Sequence, residues 1–98
     1  MSRQVRVPVL LAPAIPRFFA RMDEQIERLE AALAAGDFAT AGRIGHNLKG
    51  TGGGFGFHAV SESGARMQGL AEAADAGGLA AEIGWLKDYL ASVEVVAG

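Results

Sequence analysis

The sequence predicts an all-α fold, an antiparallel up-and-down four-helix bundle carrying an N-terminal arm. Four apolar stripes recur at spacings of three and four residues, the connections between them are short, and helix-favouring Ala, Leu and Glu dominate the composition. The clearest β-favouring run is Val95-Val96. A chain of 98 residues, half of them apolar and 20% charged, suits one folded domain with a modest core. That domain is expected to span 1–98, with the arm at 1–13 and the bundle at about 14–94.

In the arm, Arg3 and Arg6 precede Val7-Pro8-Val9-Leu10-Leu11-Ala12, a loose imitation of a short signal peptide. Pro8, Pro13 and Pro16 favour instead an extended or loosely docked segment. The first helix is predicted over 14–35, where Ile15, Phe18, Phe19, Met22, Ile26, Leu29 and Leu33 form one stripe. Pro16 suits its first turn, and Gly36 supplies a left-handed C-terminal residue. Glu24, Glu27, Arg28 and Glu30 fall on its solvated face.

Asp37 is a good N-cap for a second helix over 38–55, with Phe38, Ala41, Ile44, Leu48 and Phe55 in one sector. Gly42, Gly45, Gly50, Gly52, Gly53 and Gly54 each cost about 1 kcal/mol against alanine in a helix interior. Either packing holds this segment helical or its second half is a loop. A third stripe, Val60, Ser63, Met67, Leu70, Ala71 and Ala74, predicts a helix over 58–76, broken by Gly77-Gly78. The fourth helix follows through Leu79, Ile83, Leu86, Leu90 and Val93, with Trp85 and Tyr89 as an aromatic pair on the flank of the core.

Charge and composition exclude several function classes. A net charge of −2 offers no footprint for nucleic acid. Without cysteine there is no disulfide framework, thiol nucleophile or thiolate metal site. No apolar run approaches the ~20 residues that span a bilayer. The glycine run gives no register of G-x-G-x-x-G, and Lys49 precedes it rather than follows it, which argues against a phosphate loop. His46 and His58, twelve apart, make poor metal ligands together. Ser61 and Ser63 lack a nucleophile-elbow context and read as helix surface and interface residues. No cofactor or metal is expected on this chain.

The chemistry concentrates in Gly45-His46-Asn47-Leu48-Lys49-Gly50. With Leu48 facing inward, His46 lies about 160° away on a 3.6-residue period. Ala39, Gly42, Arg43, Lys49, Gly50 and Gly53 share that outward face. A neutral imidazole is a competent nucleophile at physiological pH. Lys49, one turn on, can stabilise charge on phosphoryl oxygens, and the small residues Gly42, Gly50 and Gly53, with Arg43 at the edge, leave room for a large partner to dock. A histidine beside a lysine on a helix surface is in itself commonplace; the outward glycines are what favour function.

His46-Asn47-Leu48-Lys49-Gly50, small Thr51 and Gly56 ten positions after the histidine resemble the signature of histidine-containing phosphotransfer (HPt) domains. The likeness covers nearly the whole chain, including the proline-bearing start of the first helix, the Gly36-Asp37 turn and the Gly77-Gly78 break. Gly52-Gly53-Gly54 is richer in glycine than the family's small-residue stretch. The resemblance implies a phosphocarrier without an ATP site, rather than an enzyme. His46 would take a phosphoryl group from an aspartyl-phosphate receiver domain and pass it to another in a multistep phosphorelay. It implies that Lys49 stabilises charge and that Gln68, on the adjacent helix, is placed to hydrogen-bond the imidazole. Response-regulator receivers, including that of a hybrid histidine kinase, would be the partners and would bring Mg2+. Nucleic acid and membrane are not expected as partners, and a cytoplasmic monomer is. The competing expectation is a helical adaptor that binds a receiver or helical partner without phosphorylation.

Overall fold

A computed structural model describes residues 3–98. A strand β1 (Arg3–Val7) leads through a short 3-10 helix (Val9–Ala14) into four helices, α1 (Ile15–Ala34), α2 (Phe38–Phe55), α3 (His58–Glu72) and α4 (Ala76–Ser92), and the chain closes on strand β2 (Val93–Ala97). Successive helices pack on one another and α1 also packs on α4, so the four close into a bundle.

The apolar stripes meet along its axis. Phe18, Met22 and Leu29 of α1 join Ile44 and Leu48 of α2, Val60 and Met67 of α3, and Leu79, Ile83 and Leu86 of α4, all at most 3% exposed. Each such side chain contributes about 1.5–3 kcal/mol of burial. At one end Phe57, in the α2–α3 turn, is fully buried and stacks on Phe18 with ring centroids 4.5 Å apart. Phe55 and Phe19 complete this aromatic cluster.

The predicted boundaries hold closely for α1 and α2. The glycine-rich second half of α2 is helical as far as Phe55, where Gly56 at φ +83° receives the chain in the left-handed region. Three boundaries differ. α3 ends at Glu72 rather than 76, and Gly77-Gly78 does not break a helix but sits in the first turn of α4. Asp75 is the reason: its carboxylate accepts from the Gly78 N–H at 2.9 Å and caps α4. A Cβ on Gly78 would fall 2.6 Å from that carboxylate and 2.7 Å from Leu70 Cδ2, so a larger residue there would have to displace those two side chains. At the other end α4 stops at Ser92, and Val93, expected as the last member of its stripe, begins β2.

The arm is docked, not loose. β1 pairs in parallel with β2, with Arg3 opposite Val93, Val5 opposite Val95 and Val7 opposite Ala97. Val7 is fully buried, and Val5, Val93 and Val95 pack against the core. This two-stranded ribbon is the one departure from an all-helical chain among the described residues. The first two residues of the predicted arm lie outside the described residues. Among the described residues no helix is long and apolar enough to cross a membrane.

Candidate functional site

The site is built on the seam between α2 and α3, where glycines let the two backbones approach. A Cβ on Gly64 of α3 would lie 2.5 Å from the Gly45 carbonyl oxygen and 2.6 Å from the Lys49 nitrogen. One on Gly45 would lie 2.8 Å from the Gly64 carbonyl, and one on Gly52 would lie 2.7 Å from the Ser61 nitrogen. Ser61 Oγ donates to the Lys49 carbonyl at 2.8 Å, a further tie between the helices. Packing therefore holds α2 helical despite its composition, and it braces the turn that runs from Gly45 to Lys49.

Against that braced inner face, His46, Asn47, Lys49 and Gly50 are exposed. Helical side chains lean toward the N-terminus of their helix, so the His46 ring lies over the preceding turn. There it borders an open groove of about 590 Å³ between α2 and α3, with Phe38, Gly42 and Arg43 on one wall and Gln68, Ala71 and Glu72 on the other. Gln68 shares the groove with His46, and among the described residues no hydrogen bond joins the two side chains.

The glycines expected to face outward divide into two kinds. Gly50 and Gly53 are exposed, with nothing within 4 Å of a Cβ on Gly50 and only Ser61 Oγ, at 3.9 Å, near one on Gly53. Gly42 is half-buried instead, and its Cβ would meet that of Ala71 at 3.5 Å, so it belongs partly to the seam. Sequence reasoning did not single out Gly64, Phe38, Ala71 or Glu72 as site residues. A glycine following buried Ser63 inside an apolar stripe was the available signal for Gly64; nothing local marks Glu72 as a groove wall.

Two cations flank the imidazole, Arg43 one turn before and Lys49 one turn after. Neither joins an ion pair among the described residues. Arg43 Nη2 donates to Thr40 Oγ1 at 3.0 Å, and that hydroxyl donates to Asp37 Oδ2 at 2.6 Å. The Thr40 N–H donates to Asp37 Oδ1 at 3.1 Å, the N-cap of α2. The Thr40 hydroxyl and N–H, with Arg43 beyond them, hold the Asp37 carboxyl below its ordinary range.

His58 stands exposed at the start of α3. Among the described residues no group of three or more His, Cys, Asp or Glu side chains could hold a metal ion. Ser63 is fully buried, and its Oγ donates to Glu82 at 2.7 Å, so it serves the α3–α4 interface.

Neither the curated proteins nor the solved structures gave a match to this chain. The family model of the Hpt domain does match, over residues 15–95, from the start of α1 into β2. Hpt domains carry out histidine phosphotransfer in phosphorelays. With four helices packed as a bundle and a match spanning most of its length, the chain belongs to the Hpt domain family.

Proposed function

We propose that His46 is the phosphoryl acceptor and donor of a multistep phosphorelay, taking the group from a receiver-domain aspartyl phosphate and passing it to a second receiver. The observation that carries this reading is an exposed imidazole on a helix turn braced from behind, in a chain of the Hpt family. In the forward step the lone pair of the outer ring nitrogen, Nε2, forms the N–P bond as the P–O bond to the aspartyl carboxylate breaks. The carboxylate leaves with the electron pair, and the Nδ1 proton stays on the ring, giving a phosphoimidazolium. The return step is the reverse.

This chain contributes the nucleophile, its orientation and nearby positive charge. Lys49, whose side chain leans back toward His46, stabilises the phosphoryl oxygens in transit. Gln68 is a side chain of the facing helix, in the same groove, whose amide oxygen can accept the Nδ1 proton's hydrogen bond once it turns toward the ring. The aspartate, Mg2+ and most of the transition-state stabilisation come from the receiver. The chain thus acts as a phosphocarrier without an ATP site of its own, working in the cytoplasm with receivers such as that of a hybrid kinase. Docking uses Gly42, Arg43, Gly50 and Gly53 around the imidazole. Gly50 and Gly53 support this, because helix-destabilising residues with open space about them have no packing role to serve.

The test is incubation with a phosphorylated receiver. Label that is acid-labile and base-stable is expected on the wild-type chain and absent from His46→Gln, with the helical content of the two unchanged. Retention of label by a folded His46→Gln, or a wild-type chain that binds receivers without accepting label, overturns the assignment.

A further inference from the structure

The two cations beside His46 are not equivalent. Lys49 reaches toward the ring from the C-terminal side, whereas the ring itself leans over the turn that carries Arg43. His46 and Arg43 line the same groove, and Arg43 is the one cation among its lining residues. Glu72 lines the groove as well, so a doubly charged phosphoryl group on His46 would enter a space that already holds a carboxylate. Some positive charge must answer both.

Arg43 is suited to do so, and it is presently engaged elsewhere. Among the described residues only Nη2 is committed, to a neutral hydroxyl at 3.0 Å, which leaves four of its five N–H donors for another acceptor. Thr40 Oγ1 in turn donates to Asp37, so the guanidinium is held by a carboxylate at one remove rather than by a direct ion pair. A dianionic phosphoryl group offers a planar guanidinium paired, charge-assisted hydrogen bonds, stronger than one bond to a hydroxyl.

We propose, resting on the phosphohistidine reading above, that Arg43 is a phosphoryl-binding residue that exchanges Thr40 for the phosphoryl oxygens when His46 is modified. No covalent bond changes in this exchange. One hydrogen bond, Arg43 to Thr40, is given up for one or two to the phosphoryl group. Thr40 keeps its own bond to Asp37, so the N-cap of α2 persists while its outer layer changes with the state of the site. Asp37, Thr40 and Arg43 then form a local reporter of phosphorylation, running from the groove to the N-cap of α2.

The equilibrium constant for transfer between receiver and His46 separates this role from mere docking. It depends on the free proteins alone, so a residue that only touches the receiver alters the rate and leaves the equilibrium ratio unchanged. With a receiver of the same organism and protein concentrations below those that hold the complex together, Arg43→Gln is expected to shift the ratio about three- to ten-fold toward phosphoreceiver. Arg43→Lys is expected to recover part of the shift. Thr40→Val, which removes the competing acceptor, is expected to move the ratio toward phosphohistidine. In the wild-type chain the Arg43 side-chain N–H resonances should shift on phosphorylation. Slowed transfer by Arg43→Gln at an unchanged ratio overturns the proposal, and so does a Thr40→Val ratio that falls with that of Arg43→Gln. A wild-type chain that takes no label at His46 is a different result, defeating the phosphohistidine reading itself.

Discussion

At the scale of single residues, the glycines of α2 and α3 do opposite things, and substitution separates them. Gly64 has no room for a methyl group, since its neighbours are the backbone atoms of Gly45 and Lys49 at 2.5 and 2.6 Å. The two helices must move apart to admit one. Gly64→Ala is therefore expected to lower stability by about 3 kcal/mol and to weaken phosphotransfer as the His46 turn loses its brace. Among the described residues a Cβ on Gly50 would meet nothing within 4 Å beyond its own helix, so Gly50→Ala is expected to raise stability by about 1 kcal/mol through helix propensity alone. Urea unfolding of the two variants checks both signs. The outward position of His46 was legible in the sequence because Leu48 and Ile44 fix the inward direction of α2 two residues to either side. The division of labour among glycines was not. Periodicity gives a residue's angle about its helix, whereas the tightness of an interface depends on the partner helix and its register.

At the scale of elements, the same turn is built twice and only one copy was legible. After α1, the Asp37 N–H donates to the Ala32 carbonyl and the Gly36 N–H to that of Leu33. After α3, Asp75 donates to Leu70 and Ala74 to Ala71, the same pair of bonds at the same spacing. Each turn then presents an aspartate that caps the next helix. The first carries Gly36 at the left-handed position, with φ +67°; the second carries Ala74 there, with φ +52°. Lacking that glycine, the second turn is masked, and Gly77-Gly78 draws the break downstream. A left-handed alanine costs about 1 kcal/mol or more, so Ala74→Gly is expected to stabilise the protein by about that amount. Its midpoint of thermal unfolding should rise, while Gly36→Ala should lower it by a similar step. The terminal strands were hidden for a related reason. Val95-Val96 showed local β preference, but a parallel partner 90 residues away in the chain leaves no local signal.

At the scale of the whole molecule, α3 is the element through which the site and the rest of the bundle are joined. One of its faces meets α2 through Gly64, and another meets α4 through Ser63 and Arg66, both bonded to Glu82. Arg66 also lies over the ring of Trp85, which stacks on Tyr89, and Arg3 of β1 lies within 6.0 Å of both ring centroids. Burial pushes the Glu82 carboxyl up, and the hydrogen bonds from Arg66 and Ser63 outweigh it, leaving the group below its ordinary range. A carboxyl with a depressed folded pKa contributes stability that is complete above its unfolded value and is lost as pH falls through the folded one. Glu82→Gln keeps the shape and an acceptor for Ser63 but removes the charge. Because the Arg66 side chain is 48% exposed, the loss at pH 7 is expected to be modest, about 1–2 kcal/mol. The gap between wild type and variant should narrow as pH falls below about 4.5, the ordinary value for glutamate, and close once Glu82 is protonated in the folded state. Every other carboxylate is common to both proteins and cancels in the difference. Glu82 contacts α3 from the α4 side, away from the groove, so the ratio of phosphohistidine to phosphoreceiver at neutral pH should be unchanged. A stability gap that persists after Glu82 is protonated in the folded state would assign the interaction to packing rather than charge.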